Sequence, residues 1–488
     1  MAFLPKECRV GIEEDSVLVR KEVLSPALSL LSSFIVTYFN IYRMLSKSSL
    51  VAKLCHRFEN DGITYVIVGD TRHYPEEIHG DTDIVTDTRS LPLARKSLLK
   101  FCNEQGIKIA QVLQHEQSAW YYVLAWFDEA GHLKTFDPDI CGDFFRYGNL
   151  FLKADQVVSG RMRKQADATN SSAGFFIPTP ARSFIYYLLK KIDKGVLDER
   201  HGEYLSSQWR LDVQGGMAGI QRFWPELEAG ILAKAATNSD WTAVRKEIGK
   251  FRALLREAIG FTLRYRWNEL VRKLRRLFCP TGLMIVFLGP DGSGKSTIIT
   301  CAQNDLAPLF RRTQTYHLRP HFGHRTKDQG PVHEPHAQPV RNAFASILKS
   351  LFYFADYTVG YWWSIWPSRV RSTLILFDRY FYDLIVDPKR LRYGGPQWVP
   401  RFLAKCIPAP DLIIYLDAPS EVLLSRKQEV SASELERQQR EYSILINKLQ
   451  NGYKVDASKP LAEVVGNVER IIVSFLEARV SKRLTPDV

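Results

Sequence analysis

Leu283-Met284-Ile285-Val286-Phe287-Leu288-Gly289-Pro290-Asp291-Gly292-Ser293-Gly294-Lys295-Ser296-Thr297 decides the fold of the C-terminal part of the chain. The run from Leu283 to Leu288 is apolar without alternation, as a strand covered on both faces of a parallel sheet must be. Gly289 to Ser296 then satisfies G-x-x-x-x-G-K-[ST], and the sequence TIITCAQNDL that follows suits a helix. Each position has a mechanical task. The glycines let the backbone curl so that its N–H groups converge on phosphate oxygens. The helix presents its positive end to the same anion. Lys295 is expected to reach the β- and γ-phosphates and Ser296 to ligate magnesium. The expected ATP-binding set is therefore Gly289, Asp291, Gly292, Ser293, Gly294, Lys295, Ser296 and Thr297, with Mg2+ as cofactor and ATP as co-substrate.

Around this motif, further strands are predicted at Thr313–His317, Thr373–Phe377 and Leu412–Leu416, with helices between them. Strands alternating with helices imply right-handed crossovers and a doubly wound α/β unit. Cys279-Pro280-Thr281-Gly282 breaks the preceding helical pattern, so the unit is expected to span 280–488. Residues 176–279 read as a helical segment, with one helix over Ser183–Lys194 and a long helical stretch over Thr242–Phe278. Residues 1–175 read as an α+β unit. Its first 50 residues look helical, short strands lie at YVIVG, DIVTD, KIAQVL and YYVLAWF, and a helix lies near Leu91–Gln105.

The 488 residues exceed what one core usually spans, which agrees with several units. With 45% hydrophobic and 24% charged residues, the composition excludes a disordered chain. The net charge of +13 favours anionic partners and leaves nucleotides, sugar phosphates, nucleic acid and anionic lipid all open. Lys246–Arg276 carries ten Lys or Arg against three Glu, and its plain reading is a solvated helical face. A nucleic-acid or membrane surface is the sharper one. Seven scattered cysteines without C-x-x-C pairs point to free thiols in a reducing compartment rather than zinc or disulfides. The acidic N-terminus, MAFLPKECRVGIEEDS, argues against a secretion signal, and a cytoplasmic location is expected. Leu24–Leu45 and Leu351–Trp366 are rich in apolar residues but too short or too polar to span a bilayer. Both read as amphipathic core helices, so no transmembrane segment is expected.

The phosphate-loop sequence with its internal Asp291 resembles that of thymidylate kinases. Later elements agree in order: His317-Leu318-Arg319-Pro320, similar to their Arg-Glu-Pro element; Asp378-Arg379-Tyr380 after LILF, similar to their Asp-Arg-aromatic motif; IIYLDAPSEVLLSRK with Arg426, Arg437 and Arg440, similar to their strand, helix and arginine-bearing lid; and Tyr453–Ala457, similar to the closing strand. The resemblance implies a phosphoryl-transfer site. Lys295, Asp378, Arg379, Arg437 and Arg440 would be catalytic, Arg426 would join the ATP site, and Ser296 with Asp378 would hold Mg2+. It also implies a homodimer, which these kinases commonly form. The chemistry is coherent by itself. Asp378 ends a buried strand, where a carboxylate can serve a metal or orient an acceptor oxygen. Arg319 and Arg379 can grip a phosphate bidentately. A lid arginine can be worth about 10³-fold in rate.

The sequence also departs from that family. Asp383 stands where those kinases carry a serine, their following glutamine has no equivalent, and the Glu of Arg-Glu-Pro is missing beside Leu318. DLIVDPKRLRYGGP makes the region basic, so Arg319, Arg379, Asp383, Arg390 and Arg392 are the expected acceptor-binding residues for a small anionic molecule. The insertion His321–Pro339 is expected to cover that pocket or to form a surface loop.

In the N-terminal half, Ile67-Val68-Gly69-Asp70 followed by Asp81-Thr82-Asp83-Ile84 resembles the nucleotidyltransferase superfamily. Alternate strand residues share a face, so Asp81 and Asp83 would point together at metal ions, with Asp139 (or Asp137) as a third carboxylate. Three functional readings stay open from sequence. One is a kinase. A second is a nucleotidyltransferase with a regulatory kinase-like unit. The third is a protein that binds or modifies nucleic-acid ends.

Overall fold

A computed structural model describes residues 45–74, 76–78, 80–165, 174–260, 262–320, 339–427 and 430–484. The expectations for residues 1–44 and for the insertion 321–338 fall outside them. The chain enters through α1 (Lys47–Asn60), whose N-cap Ser46 accepts a hydrogen bond from the Ser49 N–H. Then follow β1 (Tyr65–Val68), β2 (Thr82–Thr86), α2 (Leu91–Glu104), β3 (Lys108–Glu116), β4 (Ala119–Phe127), β5 (Leu133–Phe136) and β6 (Pro138–Cys141). They form one sheet in the order β1-β2-β6-β4-β3, with β5 beside β4. Every pairing is antiparallel except β2 with β6. That parallel pair places Asp83 directly opposite Asp139. Leu50, Leu54 and Phe58 of α1 and Leu98 and Phe101 of α2 pack with the sheet residues Ile67, Ile84 and Leu124 in one core.

Two hairpins follow, β7 (Phe144–Arg146) with β8 (Asn149–Leu152) and β9 (Met162–Gln165) with β10 (Gly174–Ile177). A short helix α3 (Ala154–Val158) lies between them. The helical segment contains α4 (Pro180–Lys194), α5 (Glu199–Leu211), α6 (Val213–Gln221), α7 (Glu226–Asn238), α8 (Thr242–Lys246), α9 (Ile248–Ile259) and α10 (Leu263–Phe278). Phe184, Leu188, Leu205, Trp209 and Trp241 bury together with Val66 and Val85 of the sheet, so this segment packs back on the N-terminal unit.

The expected long helix over Thr242–Phe278 is instead three helices. Glu247 interrupts it first, and Gly260, at φ +70°, ends α9. The last of the three, α10, is turned inside out. Glu269 is buried and ion-paired to Arg272 at 2.7 Å, while Trp267 and Phe278 are 64% and 74% exposed. The basic stretch is thus not simply a solvated face, because Arg272 and Arg276 turn inward to the carbonyls of Gln114 and Val370.

The C-terminal unit contains β11 (Leu283–Leu288), α11 (Lys295–Leu306), β12 (Arg312–His317), α12 (Ala343–Gly360), α13 (Trp366–Val370), β13 (Thr373–Asp378), α14 (Asp383–Val386), α15 (Trp398–Cys406), β14 (Leu412–Asp417), α16 (Ser420–Arg426), α17 (Ala432–Lys448), β15 (Gly452–Asp456) and α18 (Leu461–Leu484). The five strands are all parallel, in the order β12-β13-β11-β14-β15. All six residues of central β11 are buried, as the unbroken apolar run required. The expected core stretch Leu351–Trp366 does reach the core, through Tyr357 of α12 and then Tyr361 and Ile365, while the rest of α12 is less regular. α12 buries Ser346, Ser350, Asp356 and Tyr357 and exposes Phe344, Leu348, Leu351 and Phe352. Arg319 also pairs with Asp356 of this helix at 2.9 Å.

Candidate active site

The phosphate loop leaves the carboxyl end of β11, and its shape depends on its glycines. A Cβ on Gly289 (φ +151°) would lie 2.7 Å from the Leu416 carbonyl oxygen, and one on Gly292 (φ +84°) 2.8 Å from that of Leu423. Both positions combine left-handed backbone with backbone contact, so no side chain fits. Gly294 (φ +79°) then forms the N-cap of α11. Lys295, the first residue of that helix, is buried and folds over the loop. Its Nζ donates to the carbonyls of Gly289 (2.9 Å) and Pro290 (2.8 Å) and to Ser293 Oγ (3.3 Å). Burial and the nearby Arg379 pull the ammonium down to about 7, against the opposing pull of Asp291, Asp378 and Asp383. Ser296 and Thr297 on the next positions are exposed.

β13 runs beside β11 with Asp378 in register with Phe287, which delivers its carboxylate to the loop. Ser296 Oγ donates to Asp378 Oδ2 at 3.3 Å, and His317 Nδ1 lies 3.7 Å from the same oxygen. Asp378 Oδ1 is buried and has no hydrogen-bond partner among the described residues. Burial would raise this carboxyl, but His317, Lys295 and Arg379 outweigh it and hold the group below the ordinary aspartate range. An ionised carboxylate with an unused buried oxygen beside a hydroxyl fits a hard divalent cation such as Mg2+.

The next residue, Arg379, adopts φ +74°, a conformation that costs a non-glycine residue about 1–3 kcal/mol. The turn aims its guanidinium back at the loop. Nη2 donates to Asp291 Oδ1 at 2.5 Å and Nη1 to Asp383 Oδ2 at 2.7 Å. Tyr442 OH donates to the other oxygen of Asp383 at 3.1 Å. Arg390 binds the second oxygen of Asp291. Asp291, Arg379, Asp383 and Arg390 are therefore one network. Asp383, at 1% exposure, faces Arg379 and Tyr442 rather than open space. Burial works against the charge on Arg379, but Asp383 and Asp291 hold it protonated.

The other predicted residues are less gathered. Arg319 pairs with Asp356 and lies over the Tyr353 ring at 4.9 Å. Arg392 donates to the Pro339 carbonyl at 3.0 Å. Arg437 is tied to Glu434 (2.7 Å) and to the Val386 carbonyl (2.8 Å). Arg426 donates to the Ala457 carbonyl at 2.9 Å. Arg440 borders a cleft of about 960 Å³ at the carboxyl ends of β14 and β15, with Asp417, Gln439 and Lys454. Asp356, the partner of Arg319, and Tyr442, the partner of Asp383, had no sequence signal, because each meets its partner only through the fold.

In the N-terminal unit, Asp83 and Asp139 face each other across β2 and β6, and Gly69 (φ +106°) lies beside Asp83. Lys190 of α4 forms an ion pair with Asp83. Asp139 Oδ1 is buried without a partner among the described residues, and burial together with Asp83 pushes this carboxyl up to about 7. Burial also raises Asp137, to about 6. Asp81 is exposed, and Asp70 is engaged by Arg72 at 2.7 Å. Among the described residues no three His, Cys, Asp or Glu side chains are grouped to hold a metal ion.

Comparison with known proteins adds one clear relationship. A thymidylate kinase of Shouchella clausii (strain KSM-K16) is 28% identical in an alignment of 205 residues that covers 38% of this chain and 91% of that protein. Part of the chain is homologous to thymidylate kinase. The thymidylate kinase of Candida albicans, whose structure is described as revealing the origin of broad substrate specificity and a novel structural element, aligns with 40% of this chain and 93% of its own. It is 19% identical, with a TM-score of 0.32. No family model matches the chain. The larger part of the chain lies outside the thymidylate kinase-like region. Among the described residues no helix is long and apolar enough to cross a membrane.

Proposed function

We propose that the thymidylate kinase-like region transfers the γ-phosphoryl group of ATP to a small anionic acceptor, a nucleoside monophosphate, sugar or sugar phosphate. The observation that carries this reading is the register of β11 with β13, which sets Asp378 at 3.3 Å from Ser296 at the mouth of the phosphate loop. In the reaction an acceptor oxygen bonds the γ-phosphorus while the bridging bond to ADP breaks. The loop N–H groups and Lys295 hold the phosphates, and Lys295 leaves the Gly289 and Pro290 carbonyls to do so. Ser296 and Asp378 would hold Mg2+, which when bound neutralises charge on the phosphates. Arg379, fixed by Asp383 and Tyr442, and Arg390 sit where an anionic acceptor would meet the loop, with Arg319 and Arg392 further out. Arg426, Arg437 and Arg440 serve the nucleotide side after a lid movement. Incubation with γ-labelled ATP and a panel of nucleoside monophosphates, sugars and sugar phosphates tests the reading. Lys295→Ala should abolish transfer, and full transfer by that variant would overturn it.

A second reading rests on a different observation, the pairing of Asp83 with Asp139 across parallel strands. This arrangement supports nucleotidyl transfer by the N-terminal unit, with Lys190 displaced from Asp83 when metal enters. Transfer of label from α-labelled ATP, lost in Asp81→Ala/Asp83→Ala and kept in Lys295→Ala, would establish it. Absence of that label transfer would remove it.

A further inference from the structure

A strongly positive cavity lies where three parts of the chain meet. Its volume is about 390 Å³, within the range of small-ligand pockets. Arg95 of α2, Arg272 and Arg276 of α10, and Arg479, Lys482 and Arg483 of α18 line it, and Arg275 adds a seventh cation. Among the described residues no Asp or Glu belongs to the wall. Val112, Leu113 and Trp120 from the sheet supply an apolar side.

The arginines are built in rather than splayed into solvent. Arg479 donates to the carbonyls of Gly282 (2.9 Å) and Thr281 (2.7 Å), and Arg483 to that of Pro280 (3.0 Å). Arg276 donates to the Val370 carbonyl (3.0 Å), and Arg95 lies over the Trp120 ring at 4.5 Å. Each guanidinium has five N–H donors, so one or two anchoring bonds orient the fork and leave donors over. Arg479 Nε is buried and has no partner among the described residues. Burial, then the neighbouring Arg311 and Arg272, push Arg276 down to about 10, and burial lowers Arg479 equally. Like charges held together in a half-dry space repel one another unless an anion joins them.

We propose that this cavity binds a phosphate-bearing small molecule of nucleotide size, its phosphates among the arginines and its less polar part against Val112, Leu113 and Trp120. The ligand would touch the N-terminal sheet, α10 and the last helix of the thymidylate kinase-like region together, and so fasten one to the other. The site is separate from the phosphate loop, and its test does not depend on any transferase activity.

Cys279 lies in the cavity wall and is exposed, while Cys406, also exposed, is not part of the wall and serves as the internal reference. In full-length Lys295→Ala protein, which weakens the phosphate loop, maleimide labelling of both thiols is followed by mass spectrometry with inorganic pyrophosphate or ADP at low salt. Slower labelling of Cys279 by about tenfold, with Cys406 unchanged, is expected, and added salt should reverse it. Arg275→Gln/Lys482→Gln, two exposed positions, should weaken the protection about tenfold. Cys279 labelling that ignores both ligands overturns the site, as does protection that survives the double substitution and high salt. Protection by an oligonucleotide alone would make the partner a nucleic acid and equally overturn the proposal.

Discussion

Two side chains at the loop carry the sharpest consequences. Lys295 sits among carbonyls with its ammonium lowered to about 7, whereas a bound triphosphate favours the charged form. The free protein therefore loses the proton as pH rises through about 7, and ATP must restore it. ATP affinity should fall about tenfold per pH unit above that point. Calorimetry in buffers of different ionisation enthalpy should report proton uptake on binding, and uptake of zero at pH 8 would contradict the shift. Above that pH the same depressed group also makes the empty fold gain stability as pH rises, because the unfolded chain still binds the proton there. Asp383 is the second case. It is buried and accepts from both Arg379 and Tyr442. Asp383→Ala leaves a buried guanidinium and a buried hydroxyl each short of a partner, at a cost of about 3 kcal/mol. Urea denaturation should show that loss. Asp383→Asn, which keeps an acceptor for Arg379, should lose less. The sequence marked Asp383 as a departure from the thymidylate kinase pattern, but not the network it joins, because Arg379 reaches Asp291 and Tyr442 reaches Asp383 only once three elements have packed.

At the scale of elements, what was legible followed from strong local pattern. The run Leu283–Leu288 could only be a doubly covered strand, and the glycines after it could only be a tight turn, so β11 and its loop were readable residue by residue. This makes a direct prediction. Gly289→Ala would force a Cβ to 2.7 Å from the Leu416 carbonyl in left-handed backbone. The loop must open, and ATP affinity should drop about 10- to 100-fold, the equivalent of 1–3 kcal/mol of strain. Fluorescent-nucleotide titration would measure it, and an unchanged affinity would mean that the loop does not need this curl. The faces that α10 and α12 turn inward were not legible for the opposite reason. Periodicity says that one face is apolar, not which face turns inward. In α10 the inward face is Glu269 with Arg272 and the apolar side is exposed, whereas α12 exposes Phe344, Leu348, Leu351 and Phe352 and buries Tyr357 with Ser346, Ser350 and Asp356. The break at Gly260 was hidden because a single glycine is compatible with either a continuing or an ending helix.

The whole molecule is more tightly joined than its sequence pattern suggests. α18 belongs to the thymidylate kinase-like region, yet it packs on β3 of the N-terminal sheet. Lys108 reaches Ser474 at 2.9 Å and Glu477 at 3.0 Å, and Gln111 Nε2 donates to the Leu309 carbonyl at 2.5 Å. Ala110, Val123 and Ala125 share one apolar core with Val468, Ile472 and Leu476. A joint made of buried small residues transmits unfolding from one side to the other, so the intact chain should melt in a single transition. Ala110→Asp would place an unpaired carboxylate in that core, at several kcal/mol, without touching the phosphate loop. The units should then uncouple, and calorimetry should resolve two transitions where the unaltered chain gives one. ATP should raise only the transition of the thymidylate kinase-like region, by mass action on its own site. A single transition at an unchanged temperature in Ala110→Asp would mean that the core around Ala110 is not what couples the two halves of the chain.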